Sequence, residues 1–189
     1  LEGVDAVVTG QKDVCIGVST ADCIPVLLYD EEHHAVAAIH AGWRGTLARI
    51  VHKTIQEMAF TYHTDPKKLK AVIGPGISLD HFEVGDEVYE AFEQAAFPME
   101  EIAEQRPNAA FSVDPAERER LAAEGNIVQP LKWHLNLPLC NRQILLHCGV
   151  AEENIQDCGI CTFAHSDEYF SARKLGTESG RIYTGILLK

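Results

Sequence analysis

The stretch Thr20–Gly45, TADCIPVLLYDEEHHAVAAIHAGWRG, holds two short apolar runs separated by a polar turn. The runs are Ile24–Tyr29 and Ala35–Ile39, and their length and content of branched residues predict two strands of one sheet. Cys23 comes directly before the first run, and His40 comes directly after the second. If the two strands are neighbours, the thiol and the imidazole meet at one end of them.

Further apolar segments extend this pattern along the chain. Strands are predicted at Asp5–Thr9, Val14–Ser19, Ala71–Ile73, Asn154–Asp157 and Arg181–Leu188. Helices are predicted from Thr46 to the Asp65-Pro66 stop, at Val84–Ala96 and at Leu135–His147. The polar, proline-bearing stretch Pro98–Pro115 is interpreted as a mobile excursion. Because strands and helices mix without strict alternation, we expect an α+β or layered α/β domain with helices on the outer faces.

Composition favours a small-molecule partner. The chain has 189 residues, of which 16 are Lys or Arg and 28 are Asp or Glu, so its formal net charge is -12. Such an acidic chain is not expected to bind nucleic acid or an anionic membrane non-specifically. No apolar run approaches the roughly 20 residues that span a bilayer, and a cytoplasmic protein is expected. The six cysteines are interpreted as thiols rather than as a disulfide framework.

Two chemistries use a cysteine beside a histidine. In one, the imidazole lowers the pKa of the thiol and makes it a nucleophile. In the other, thiolate and imidazole bind zinc or copper and leave coordination positions open. Gly42 and Gly45 allow close approach of backbone to a ligand, and Arg44 between them adds a positive charge suited to phosphate. The residues alone leave both chemistries open, beside a purely structural role for each side chain.

Segments spread over nearly the whole chain resemble one known family. They are Thr20–Gly45, Ile73–Ser78, Phe82–Gly85, Cys161-Thr162, Phe170–Lys174 and Gly180-Arg181. In this order they are similar to the YfiH, or laccase-domain, family, also called multicopper polyphenol oxidase-like and regarded as purine nucleoside phosphorylases.

The resemblance implies a layered α-β-β-α fold related to that of cysteine-hydrolase-like bacterial toxins. It also implies a metal, usually zinc and alternatively copper, held by one cysteine and two histidines. Cys23 and His40 match two of these ligand positions. The remaining histidine belongs to a Val-His-Gly type segment that precedes Leu1, so residues 1–189 are expected to form a single domain without the N-terminal part of the family. We therefore expect weak zinc binding by this chain.

The implied activity is phosphorolysis of purine nucleosides, including adenosine, inosine and methylthioadenosine, with adenosine deamination. Cys23, His40 and Arg44 are then the expected catalytic residues, and Arg44 holds phosphate. The expected substrate-binding residues, besides Arg44, are Gly74, Pro75, Gly76, Ser78, Cys161 and Arg173.

Other readings are weaker. A separate zinc site at Cys158-x-x-Cys161 lacks a second ligand pair of comparable spacing. A copper oxidase of phenols needs more ligands than one cysteine and two histidines provide. A non-catalytic interaction protein is the remaining alternative. Among the other histidines, His81 is the best candidate for contact with substrate, since it follows the Gly74–Ser78 loop. The sequence does not define the oligomeric state.

Overall fold

The structure is a computed structural model that describes residues 3–108, 111, 114–125, 128–176 and 178–189. The strands in these ranges are β1 (Ala6–Thr9), β2 (Cys15–Thr20), β3 (Ile24–Asp30), β4 (Ala35–Ala41), β5 (Lys70–Ile73), β6 (Glu83–Val84), β7 (Ala103–Pro107), β8 (Leu131–Leu135), β9 (Ile155–Asp157) and β10 (Ile182–Leu187). The helices are α1 (Trp43–Leu47), α2 (Ile50–Tyr62), α3 (Asp86–Gln94), α4 (Met99–Ile102), α5 (Pro115–Ala123), α6 (Leu137–His147) and α7 (Ala172–Leu175).

A mixed five-stranded sheet forms the centre of the fold, with the order β1-β4-β3-β5-β9. All of its pairings are antiparallel except the parallel pair β5-β9. The predicted hairpin of β3 and β4 is confirmed, and its register places Ile24 opposite Ala41 and Pro25 opposite His40. The residues that flank the two apolar runs therefore meet at one end of the sheet.

The central strands are apolar without alternation because both faces of the sheet are covered. On one face, Val51, Ile55 and Met58 of α2 pack with α6 against the sheet. On the other face, a two-stranded sheet of β2 and β10 packs against Val36 and Ala38 of β4. Burial of each large aliphatic side chain stabilises such a core by about 1.5–3 kcal/mol. No helix in the described residues is long and apolar enough to cross a membrane.

The prediction of one continuous helix from Thr46 to the Asp65-Pro66 stop is wrong, because the structure has two helices, α1 and α2, in this region. α1 ends at Leu47 and α2 begins at Ile50, with Arg49 between them in the left-handed conformation at φ 54°. The Arg49 guanidinium donates from Nη2 to the carbonyl of Ala95 at 3.0 Å. This contact with a distant segment holds the break, which the continuous apolar periodicity of the helix does not reveal.

Two other helices are shorter than predicted. The prediction for Val84–Ala96 fails at its start, since Glu83 and Val84 pair with β8, and the helix spans Asp86–Gln94. The helix predicted over Leu135–His147 starts two residues later than predicted, because Leu135 belongs to β8. The helix α6 starts at Leu137, where the Asn136 side chain accepts a hydrogen bond from Leu139 N at 3.0 Å.

The stretch Pro98–Pro115 was predicted to be an excursion, and this is also corrected. Met99–Ile102 is helical, and Ala103–Pro107 is the β7 edge of a three-stranded sheet with the order β6-β8-β7. The residues of β7 are mostly exposed, so their side chains carry no apolar pattern. Backbone pairing with β8 makes them a strand. Residues 109, 110, 112 and 113 of the stretch lie outside the described residues.

Candidate functional site

The structure brings Cys23 and His40 together at the end of the β3-β4 hairpin. A Cβ atom placed on Gly42 would lie 3.0 Å from Cys23 Sγ and 3.8 Å from His40 Nε2. Sulfur and Nε2 therefore border the same small space, and a side chain at position 42 would crowd the thiol. The register of β3 and β4 explains this placement, since Cys23 precedes Ile24 and Ile24 lies opposite Ala41.

Asp5 orients the imidazole of His40 from the other side. Its Oδ1 lies 2.9 Å from His40 Nδ1, and its carbonyl accepts a hydrogen bond from His40 N at 2.7 Å. Because a carboxylate only accepts, Nδ1 carries the hydrogen and Nε2 is directed to Cys23. A hydrogen-bonding interaction with Cys23, together with that of Asp5, raises the pKa of His40 to about 9 against the opposing effect of burial.

This donor set fits part of a zinc or copper site. A thiolate and an imidazole are preferred ligands of both ions, and a carboxylate on the second ring nitrogen is the usual support of a metal-binding histidine. Within the ranges that the structure describes, no group of three or more His, Cys, Asp or Glu side chains is placed to hold a metal ion. The described residues thus supply a ligand pair, Cys23 and His40.

Arg44 lies in the first turn after this pair. It belongs to α1, a helix of five residues that starts after Gly42, and its side chain is exposed. Its guanidinium carbon lies 4.1 Å from the ring centroid of Trp43. The stacking leaves the guanidinium edge accessible to an anion.

The Gly74–Ser78 loop packs behind Cys23. Gly74 N donates to Pro25 O at 2.9 Å, and Ile77 N donates to Asp22 O at 2.8 Å. A Cβ atom on Gly76 would lie 3.0 Å from the carbonyl oxygen of Asp22, so only glycine allows the two backbones to approach this closely. The loop therefore supports the segment that carries Cys23.

Asp22 is a connecting residue that sequence analysis missed. It is buried, has a positive φ of 81°, and directs both carboxylate oxygens to distant partners. Oδ1 accepts a hydrogen bond from Thr162 Oγ1 at 2.7 Å, and Oδ2 accepts one from Arg173 N at 2.7 Å. The residue beside Cys23 is thereby tied to two later segments. The signal in the sequence is an aspartate, a residue that tolerates positive φ, directly before the cysteine.

Cys161 lies in a second cluster with Ser78 and His81. Its sulfur accepts from Ser78 Oγ at 3.2 Å and from Ser78 N at 3.4 Å, and it lies 3.4 Å from His81 Nδ1. The His81 ring stacks on Phe163 at 4.4 Å. Burial raises the pKa of Cys161, but hydrogen bonds led by that of Ser78 outweigh burial, so the pKa is lowered.

Arg173 and Pro75 lie beside the segment that carries Cys23. The Arg173 guanidinium donates to the carbonyl of Glu83 at 3.0 Å, which directs it along the backbone of β6. Pro75 lies in the loop behind Cys23. All six cysteines are free thiols, and Cys158 is exposed whereas Cys161 is buried.

A cavity of about 450 Å³ opens beside His40. It is lined by residues of β1 and β2 and by Tyr183 of β10, and not by Gly74, Ser78 or Cys161. The sequence does not predict which residues line this cavity, because the pairing of β2 with β10 joins segments from opposite ends of the chain.

Curated relatives match the entire chain. A purine nucleoside phosphorylase of Bacteroides thetaiotaomicron is 43% identical over 188 residues, which is 100% of this chain and 62% of the relative. The adenosine deaminase RL5, from an unknown prokaryotic organism, is 41% identical over 189 residues, covering 100% of this chain and 64% of the relative. The chain thus spans less than two thirds of the length of these relatives.

Solved structures have the same fold. A hypothetical protein YfiH of Bacillus licheniformis superposes with a TM-score of 0.79 at 26% identity, over 98% of this chain and 61% of that protein. YlmD of Geobacillus stearothermophilus superposes with a TM-score of 0.78 at 25% identity, over 99% and 62% respectively. The family model described as multi-copper polyphenol oxidoreductase laccase matches residues 1–189. The chain therefore belongs to the multi-copper polyphenol oxidoreductase laccase family, which includes the YfiH and YlmD proteins.

Proposed function

We propose that this chain is part of a metal-dependent purine nucleoside phosphorylase that also deaminates adenosine. The observation that carries the proposal is the pair of Cys23 and the Asp5-oriented His40, of which His40 lines a cavity. The names of the relatives support the choice of reaction. Adenosine, inosine and methylthioadenosine are the proposed nucleosides, and phosphate is the proposed second substrate.

Zinc is the proposed metal and copper the alternative, with Cys23 and His40 as protein ligands. When bound, the ion supplies Lewis-acid activation of the attacking phosphate or water. The residues of this chain prepare for that chemistry. Asp5 holds His40 with Nε2 toward the sulfur, and Asp22 and the Gly74–Ser78 loop hold the segment of Cys23.

The nucleoside is assigned to the cavity beside His40. Its volume of about 450 Å³ lies within the usual range of small-molecule sites. The exposed ring of Tyr183 and the β2 backbone provide a surface on which a purine can stack. Arg44 is assigned to phosphate because its exposed guanidinium lies at the start of α1, four residues after His40 of β4.

The loop side of the site is assigned a supporting role in substrate binding. The segment that carries Cys23 is bordered by Gly74, Pro75, Gly76, Ser78, Cys161 and Arg173. We further propose that residues 1–189 form one domain with α-β-β-α layers like those of cysteine-hydrolase-like toxins, located in the cytoplasm. The large core cluster that joins the five-stranded sheet to α2 and α6 supports a single domain.

The test is release of hypoxanthine from inosine and phosphate, and of inosine from adenosine without phosphate, with zinc added. Cys23→Ser is expected to abolish both reactions. Arg44→Gln is expected to raise the KM for phosphate and to leave the KM for inosine unchanged, because only the anion contacts the guanidinium. The matched control is Arg142→Gln on α6, whose guanidinium pairs with Glu152 at 3.0 Å. Activity that survives in Cys23→Ser would refute the assignment.

A copper-dependent oxidation of phenols is the second candidate, favoured by the description of the family model. The described residues contain no group of three or more His, Cys, Asp or Glu side chains placed to hold a metal ion, whereas a laccase needs several copper centres. Oxygen uptake with a phenol and added copper distinguishes it from phosphorolysis. A chain that is inactive in all three assays and takes up no metal would be a non-catalytic interaction protein.

A further inference from the structure

A second pocket of about 540 Å³ lies on the helical side of the sheet. The start of α2, the segment before α4, and α6 enclose it. Its polar lining consists of Arg49, His52, Glu101, Gln143 and His147, with Phe97 among the apolar residues. It shares no residue with the cavity beside His40.

Arg49 is held in place before any ligand arrives. Its guanidinium lies over the ring of Phe97 at 4.4 Å and donates from Nη2 to Ala95 O at 3.0 Å. Arg49 has a φ of 54°, and Ala96 at the same pocket has a φ of 56°. Both left-handed positions fall at helix ends beside the pocket, after α1 for Arg49 and after α3 for Ala96, and they set the course of the chain along its wall.

Gln143 presents an acceptor that lacks a partner. Its Nε2 donates to Glu101 Oε2 at 2.6 Å, and because a carboxylate only accepts, this contact fixes the orientation of the amide. Its Oε1 is buried and has no hydrogen-bond partner in the structure. Buried polar atoms are rarely left unpaired, so the wall of the pocket holds an acceptor that the fold itself does not satisfy.

The charges around the pocket suit an anion. Arg49, His52 and His147 gather there although the chain as a whole carries a formal charge of -12. The carboxylate in the lining, Glu101, is engaged by Gln143. A guanidinium fork with two imidazoles is typical of phosphate recognition.

We propose that this pocket binds a phosphorylated small molecule of nucleotide size. The phosphate contacts Arg49, His52 and His147, and the body of the ligand packs on Phe97. A volume of about 540 Å³ accommodates such a molecule.

The test is calorimetric titration with AMP, adenosine and inorganic phosphate. It is carried out in an Arg44→Gln background, so that the phosphate site of the proposed function does not contribute. AMP binding is expected to depend on Arg49, whereas binding of adenosine, which the proposed function places in the cavity beside His40, is not. Arg49→Gln is expected to weaken AMP binding at least about tenfold, the usual loss for a hydrogen bond to a charged group. Arg142→Gln, a neighbouring arginine outside the pocket, is expected to leave it unchanged.

Two further measurements cover the case in which Arg49→Gln fails to fold. His147→Gln removes one imidazole of the pocket, leaves Arg49 in place and should weaken AMP binding. The imidazole NMR signals of His52 and His147 should shift when AMP is added, whereas the signal of His40 should not. The proposal is overturned if AMP does not bind, if Arg49→Gln weakens adenosine binding as much as AMP binding, if only inorganic phosphate binds, or if the Arg49 and Arg142 variants bind AMP equally.

Discussion

Two cysteine–histidine pairs stand near each other in this fold, and their surroundings differ. At Cys23 and His40, a third partner, Asp5, holds the histidine and directs Nε2 to the sulfur. At Cys161 and His81, the third partner, Ser78, instead donates two hydrogen bonds to the sulfur, and the imidazole stacks on Phe163. The first arrangement keeps donor atoms available for a metal, whereas the second already uses the lone pairs of its sulfur. The third partner thus distinguishes the chemistry of two similar pairs.

The strongest test of this comparison is zinc binding by two matched variants. Cys23→Ser is expected to lower the zinc affinity by more than about 100-fold, because loss of a supporting outer residue alone costs about 10–100-fold. Cys161→Ser removes a thiol of the same chain and is expected to leave the zinc affinity nearly unchanged, because that sulfur already accepts two hydrogen bonds from Ser78 and is not one of the proposed ligands. Competition with a chromophoric chelator measures both. Equal losses would mean that the two pairs act as one site.

A smaller effect is expected at Asp5. Asp5→Asn keeps the shape of the side chain but weakens the charge that holds His40 Nδ1, so zinc affinity should fall about 10–100-fold. Asp167→Asn, at an exposed position, is the control. The cobalt-substituted protein adds a spectroscopic readout, because the thiolate-to-cobalt charge-transfer band reports the geometry at Cys23. An unchanged affinity and an unchanged band in Asp5→Asn would remove Asp5 from the site.

The link between the two pairs is the hydrogen bond from Thr162, next to Cys161, to Asp22, next to Cys23. Thr162→Val removes the donor and leaves a buried carboxylate oxygen without it, so the free energy of unfolding should fall by about 1–3 kcal/mol. Thr162→Ser keeps the hydroxyl and should restore most of the loss. Urea denaturation monitored by fluorescence measures both variants. If valine and serine destabilise equally, packing of the methyl group, and not the hydrogen bond, joins the regions.

The smallest effect is expected from Ser78→Ala. Removal of the Ser78 hydroxyl should raise the pKa of Cys161, because this donor favours the thiolate. The shift is measured as the difference in ultraviolet thiolate absorbance between each protein and its Cys161→Ser counterpart.

The same variant has a consequence for stability. Since folding lowers the pKa of Cys161 from 9.0, its thiolate stabilises the fold above pH 9.0, and this contribution is lost as the pH falls through the lowered value. Ser78→Ala should reduce that contribution. An unaltered titration would show that His81 or the backbone governs the thiol.

Sequence patterns were informative where a local signal is strong. The strands β1 to β5, β9 and β10 were predicted close to their observed bounds, because all of them except β9 contain a short apolar run next to turn residues. The strands β6, β7 and β8 were missed. They are short or largely exposed, and the pairing among them, rather than an apolar pattern, makes them strands.

The apolar runs of β3 and β4 and their flanking residues are local features, so they are sufficient to predict the hairpin and the positions of Cys23 and His40 at its end. The residues that complete the site come from distant segments of the chain. Asp5 reaches His40 across 35 positions, and Thr162 reaches Asp22 across 140. Such contacts depend on strand register and on the packing of distant segments, and a hydrogen bond between residues so far apart leaves no periodic trace in the chain.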